Sequence, residues 1–233
     1  MLSISVFGVE MNEIKLTKRL LAAAQAVREG ARVADVGCDH GKLAAQLVAS
    51  GKCPVVIATD INDKPLGQAR ELFRVCRLEE QCRALLCDGL DGVDGGEVDD
   101  VVIAGLGADA AISIIRKAAF LRDADKCLVL VPSSRHGVLR GWLLENGFAL
   151  ERERAVCEAG KCYSVITARF TGERKCCSAA MRATGLIADD GPDSRAYLKN
   201  ERKRAERLIL SGACDEKKRA AREVITHIDE VLQ

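Results

Sequence analysis

Apolar residues in this chain gather in short runs of four to six, each ending in an acid, glycine or proline. Apolar positions at three- and four-residue spacing follow most of them. Short runs bounded by turn residues predict buried strands, and the wider spacing predicts amphipathic helices. Taken in order, the pattern predicts a helix over 12–29, capped by Asn12 or Thr17, and a strand over 32–36. A helix over 42–50, a strand over 55–59 and a helix over 63–77 follow, the last with Pro65 tolerated in its first turn. Strand 83–87, a glycine-rich turn over 89–96 and strand 100–104 come next. After them stand helix 108–120, strand 126–131 and helix 135–146, which stops at Gly147, a favourable C-cap residue. Residues before Asn12 show no pattern, and Met11, where the pattern sets in, is an alternative start.

Strictly alternating strands and helices imply a parallel sheet covered on both faces. The alternation then breaks. Runs 148–157 and 161–170 are joined by Glu158-Ala159-Gly160, which reads as an antiparallel hairpin. Beyond Thr171 the segment 172–192 is interrupted by Gly185, Gly191 and Pro192. Helices over 194–210 and 215–232 then form an antiparallel pair about Gly212. The expected architecture is α/β: a Rossmann-like, mostly parallel sheet ending in an antiparallel hairpin, over 1–171, plus a C-terminal helical, coiled-coil-like hairpin over 172–233. A parallel sheet closed by such a hairpin marks S-adenosylmethionine methyltransferases off from ordinary dinucleotide folds.

Composition narrows the class. With 233 residues, 48% hydrophobic and 30% charged, the chain suits a globular α/β domain with an appendage. No apolar stretch approaches a membrane span, and no signal peptide is visible, so a cytoplasmic protein without a membrane partner is expected. Eleven cysteines and three histidines occur without a C-x-x-C pair or a zinc-like spacing. Neither a metal nor a disulfide framework is therefore expected; the cysteines read as small apolar residues in a reducing compartment, with Cys176-Cys177 the one pair that could react. The net charge of +1 is uninformative, but the last two helices are locally basic.

The candidate chemistry lies in the turns. Val33-Ala34-Asp35-Val36-Gly37-Cys38-Asp39-His40-Gly41 is a strand, a glycine turn and the opening of a helix. Glycine lets backbone approach a ligand closely, and a helix N-terminus offers free N–H groups to an anionic end. Its Gly37-x-x-x-Gly41 spacing is not the dinucleotide G-x-G-x-x-G, so a tight connection is the competing reading. Asp60 ends the second strand roughly twenty residues on, where a carboxylate can accept from ribose hydroxyls. Asp35, Asp60 and Asp88 stand at or near strand C-termini and so converge on one sheet edge, the ligand-binding edge of such folds. Singly, each could equally be a cap or turn residue.

Several segments together resemble the bacterial tRNA methyltransferases that modify N1 of adenine 22 in the D-arm. They are Met11-Asn12-Glu13-Ile14-Lys15-Leu16, Lys18-Arg19-Leu20, the Val33 to His40 turn, Asp88-Gly89-Leu90 and Ile103-Ala104-Gly105-Leu106-Gly107. Leu139-Arg140-x-Trp142-Leu143, Glu158 and Lys161-x-Tyr163 extend the likeness, which covers nearly the whole chain from Met11. Leu106 stands where that family usually has methionine, Ala108 where it has glycine, and Val131-Pro132-Ser133-Ser134 where it has a Gln-Pro-Asn-like turn. These departures bear on the acceptor side.

The resemblance implies S-adenosylmethionine as methyl donor and tRNA as acceptor. Carried over by position, Asp35 and Gly37 line the methionine end, Asp60 holds the ribose and Asp88 meets the adenine amino group. Cys38, Asp39, His40, Gly41, Ile61, Gly89, Ala104 and Gly105 complete the cofactor set. Asp109 and His40 are candidates for a base by location only, the first-turn helix carboxylate being the favoured reading of Asp109. Lys15, Arg19, Lys199, Arg202, Lys203, Arg207, Lys218 and Arg222 are candidate RNA contacts, with a solvated ion-paired face as the bland reading. A monomer or weak dimer is expected. Two other functions remain open at this stage: a small-molecule or protein methyltransferase that dimerises through the hairpin, and a non-catalytic RNA-binding relative.

Overall fold

The computed structural model describes residues 14–233. Asn12 and the Met11 to Glu13 segment therefore lie outside the described residues. Helix α1 (Lys18–Ala26) begins at Thr17, whose hydroxyl accepts from the Leu20 amide. The helix expected from residue 12 is thus shorter, because residues 14–17 are non-helical.

The core alternates as the pattern requires. Strands β1 (Val33–Val36), β2 (Val56–Asp60), β3 (Cys82–Leu86), β4 (Asp100–Ala104) and β5 (Cys127–Val131) are separated by helices. These are α2 (Lys42–Ala49), α3 (Asp63–Val75) and α4 (Ala108–Lys117). Two short 3-10 turns, Gly95–Glu97 and Ala119–Arg122, fill connections, and the second ends the stretch expected as continuous helix to residue 120. Helix α5 (His136–Glu145) leads into β6 (Phe148–Glu158) and β7 (Lys161–Phe170).

The seven-stranded sheet has the order β3-β2-β1-β4-β5-β7-β6. Pairs β1–β2, β1–β4, β2–β3 and β4–β5 are parallel, while β5–β7 and β6–β7 are antiparallel. Strand order reverses between β1 and β4, so a crevice opens outside their carboxyl ends. Two apolar layers fill the faces. One gathers Leu43, Leu47, Leu66 and Phe73 of α2 and α3 under α1; the other gathers Ile112, Ile115, Leu139 and Leu143 of α4 and α5. Trp142 stacks at 6.0 Å on Phe148, so it packs α5 on the sheet.

A third cluster joins the remaining helices, α6 (Ala179–Thr184), α7 (Pro192–Leu210) and α8 (Asp215–Val231), to β6. Leu198 and Ala205 of α7 meet Ala221, Val224 and Ile228 of α8, with Ala155 of β6 beneath. No helix among the described residues is long and apolar enough to cross a membrane.

One cysteine expectation is corrected. Cys157 and Cys162 are disulfide-bonded. The hairpin register sets them directly opposite one another, a proximity that spacing along the chain does not reveal. Cys176 is exposed and Cys177 buried, both as free thiols. No cluster of metal-ligating side chains occurs among the described residues.

Candidate active site

A cleft of about 730 Å³ lies over the carboxyl ends of β1, β2 and β4. Its floor is the turn after β1. Gly37 adopts φ +68°, and its amide and that of Cys38 both donate to the Thr59 carbonyl, at 2.8 and 2.9 Å. A Cβ on Gly37 would lie 3.3 Å from Leu106, so glycine keeps this floor open.

The carboxylates gather as expected, in three different states. Asp35 is 3% exposed, and its Oδ2 has no hydrogen-bond partner among the described residues. Burial, with Asp60 nearby, raises its pKa to about 7, against a smaller lowering by the Ala44 amide. Asp60 accepts from the Asp39 amide at 3.2 Å and the Asn62 amide at 2.9 Å, so the turns after β1 and β2 are tied through one carboxylate. Asp88 pairs with Lys117 Nζ at 2.8 Å, half in solvent. His40 lies 3.4 Å from the Asp39 carboxylate, also half exposed.

Most of the residues singled out from the sequence line this cleft: Asp35, Gly37, Cys38, Asp39, His40, Asp60, Ile61, Asp88, Gly89, Ala104, Gly105 and Arg19. Two do not. Gly41 is buried at the head of α2, with its Cβ direction only 2.7 Å from the Ala69 side chain; it serves helix packing instead of the cleft. Asp109 turns outward from the first turn of α4 and is ion-paired with Arg135. That geometry favours the first-turn carboxylate over a base.

Sequence reasoning missed Leu20, Lys42, Leu43, Asn62, Ala110, Ser113 and Ile114, which complete the lining with Thr17, Val36 and Leu106. Asn62 stands two residues beyond Asp60, and Ala110, Ser113 and Ile114 recur at helical spacing on α4. Both signals were visible in the sequence. Arg19 also ties the cleft wall to the hairpin. Its Nε is 3.3 Å from Glu158 and its guanidinium 5.4 Å from the Tyr163 ring centre, so α1 is clasped to the hairpin tip.

The candidate RNA residues divide by their partners. Arg202 is engaged by Glu206 and, at 2.7 Å, by Asp229 of α8. Lys199, Lys203 and Arg207 recur every four residues along α7, are exposed, and form no ion pair among the described residues. Arg222 is exposed on α8 and Lys218 half-exposed; Lys15 is exposed just before α1.

A buried polar group was not foreseen. Arg140 and Glu153, both fully buried, meet at 2.6 Å, and Arg140 also donates to the Tyr197 hydroxyl at 2.8 Å. Its remaining N–H groups reach the Arg182 and Ala183 carbonyls, and Glu153 accepts from the Leu186 amide. The only trace in the sequence is one arginine inside the apolar stretch Leu139 to Leu144.

With this geometry in place, the likenesses to known proteins become specific. The Methyltransferase domain family matches residues 16–166. The tRNA (adenine(22)-N(1))-methyltransferase of Bacillus subtilis (strain 168) is 34% identical over 164 residues, 70% of this chain and 68% of that protein. The crystal structure of the B. subtilis M1A22 tRNA methyltransferase superposes with a TM-score of 0.79 at 26% identity, covering 95% of this chain and all of that one. A Streptococcus pneumoniae protein in complex with S-adenosyl-L-methionine gives a TM-score of 0.79 at 29% identity, covering 94% of this chain and 100% of its own. The chain belongs to the methyltransferase-domain family and, within it, to the tRNA (adenine-22, N1)-methyltransferases.

Proposed function

We propose that this protein transfers a methyl group from S-adenosylmethionine to N1 of adenine 22 in tRNA. The observation that carries the reading is the cleft at the β1–β4 switch point, with a buried, unpartnered Asp35 oxygen at its base, in a chain of this family. An orphaned buried carboxylate suits a cationic ligand group, and the methionine end of S-adenosylmethionine carries an ammonium. Asp35 is assigned to that ammonium, the turn at Gly37 to Asp39 to the backbone approach, Asp60 to the ribose hydroxyls, and Asp88 to the adenine amino group. Ile61, 67% exposed beside Asp60, offers an apolar cover.

When bound, S-adenosylmethionine supplies an electrophilic sulfonium methyl. Adenine N1 has its own lone pair, so the chain needs no nucleophile; positioning supplies the acceleration. N1 lies on the Watson–Crick edge, so the base must be unpaired or flipped to reach the cleft. The unpaired cations of α7 and α8 are assigned to the tRNA backbone, with 1–171 as the cofactor-binding part and 172–233 as the RNA-facing part.

The test is incubation with labelled S-adenosylmethionine and unmodified bulk tRNA, followed by mass-spectrometric mapping. N1-methyladenosine at position 22 is expected. Label in another nucleoside overturns the stated position, and no label on any RNA overturns the activity.

A further inference from the structure

The helical hairpin reaches the cleft wall through a buried hydroxyl. Tyr197 of α7 is 2% exposed. Its Oη accepts from Arg140 and lies 3.3 Å from Nδ1 of His136, the first residue of α5. The two rings stack with centres 5.9 Å apart. His136 Nδ1 is also 3.5 Å from the Ser164 hydroxyl, and the Pro132 backbone is a hydrogen-bond partner of the imidazole. Burial, helped by Arg140 and Arg204, lowers the His136 pKa to about 4, so the Tyr197–His136 bond joins neutral groups at physiological pH.

From His136 the contacts continue into the site. The Ser133 amide donates to the Leu106 carbonyl at 2.9 Å, Ser134 Oγ flanks Gly107, and Arg135 pairs with Asp109. Leu106 in turn lines the cleft and stands against Gly37. An unbroken path thus runs from α7, through the turn after β5, to the turn after β4.

We propose that Tyr197 is a positioning residue for methyl transfer: its hydroxyl, through His136 and the Pro132 to Arg135 turn, holds Leu106 in place against the cleft. The inference rests on the methyltransferase reading above. Packing alone does not require the hydroxyl, because phenylalanine would fill the same space. Docking of α7 does not rest on the hydroxyl either, because Leu198 and Ala205 hold the helix in an apolar cluster with Ala155 of β6 and with α8.

The test compares the wild-type chain with Tyr197→Phe, using amide hydrogen exchange of the unliganded protein and steady-state kinetics. Tyr197→Phe removes the hydroxyl's contacts with Arg140, His136 and the Ala183 carbonyl together, and loss of the His136 link among them corresponds to about a five-fold effect on the turns. Exchange over 105–107 and 132–135 is expected to quicken by about that factor. In parallel, kcat falls by a similar factor while KM for tRNA and Kd for S-adenosylmethionine hold. His136→Gln reports the same link from its other side, and the double variant is expected to be no worse than either single one. Unchanged exchange in both turns overturns the proposal, as does a lowered Tm with kcat retained. Exchange needs no substrate, so a wild-type chain that methylates no RNA overturns the functional reading while the exchange still decides the link.

Discussion

Arg135 and Asp109 are ion-paired outside the cleft lining, joining the residue before α5 to the first turn of α4. Arg135 holds a left-handed backbone, φ +57°, to make this contact. Both side chains are more than half exposed, and exposed pairs contribute about 0–1 kcal/mol. Asp109→Asn is therefore expected to lower kcat by less than about five-fold. A general base would cost about a hundred-fold or more. Initial rates at saturating tRNA separate the two, and a loss of the larger size would restore Asp109 as a proton acceptor.

Asp60 accepts three hydrogen bonds, from the Asp39 and Asn62 amides and the Asn62 side chain. Removing a buried acceptor from its partners costs about 1–3 kcal/mol, which is about ten-fold or more in affinity near the middle of that range. Titration calorimetry of Asp60→Ala should show at least that weakening for S-adenosylmethionine. Unchanged affinity would remove Asp60 from the site.

The raised pKa of Asp35, about 7, has a direction in both binding and stability. A carboxylate facing an ammonium must be ionised, so S-adenosylmethionine affinity should fall as pH drops below about 7, and Asn at this position should flatten that profile. In the unliganded protein the sign reverses. The native state binds the proton more tightly than the unfolded chain does. This contribution to stability is thus full below the unfolded value near 4 and is lost as pH rises through about 7. Calorimetry and thermal melts across about pH 4–8, which covers the window those two values span, read the two effects separately.

Local chemistry made the cleft legible and long-range chemistry did not. Asp35, Asp60 and Asp88 follow apolar runs, and a parallel sheet brings such residues together whatever the details of packing. Gly41 and Gly37 look alike in the sequence, yet only Gly37 faces the cleft; which way a turn aims its Cα is set by α3 packing beneath it. Cys157 and Cys162 meet only because β6 and β7 pair in one register. Arg140, Glu153 and Tyr197 come from three separate elements and leave no local pattern.

That buried group yields a stability prediction. Arg140→Met leaves Glu153 buried without its cation, and stranding one partner of a buried pair costs about 3–5 kcal/mol. Replacing both, as Arg140→Met with Glu153→Leu, removes the stranded charge and should recover part of the loss. Denaturant midpoints measure both. A single variant as stable as wild type would mean that Glu153 finds water or another donor.

The basic face of α7 can be tested by salt rather than by affinity alone. Lys199, Lys203 and Arg207 share one face without carboxylate partners among the described residues, whereas Arg202 is held by Glu206 and Asp229. Each cation that contacts a phosphate releases about one counterion, so each adds about one to the slope of log K against log salt. Neutralising the three free cations should weaken tRNA binding and flatten the slope by up to about three. Arg202→Ala should leave the slope nearly unchanged, because its charge is already compensated within the hairpin. If Arg202→Ala flattens the slope as much as the triple variant does, the ion pairs open on binding. If the triple variant leaves it untouched, the tRNA backbone lies on another face.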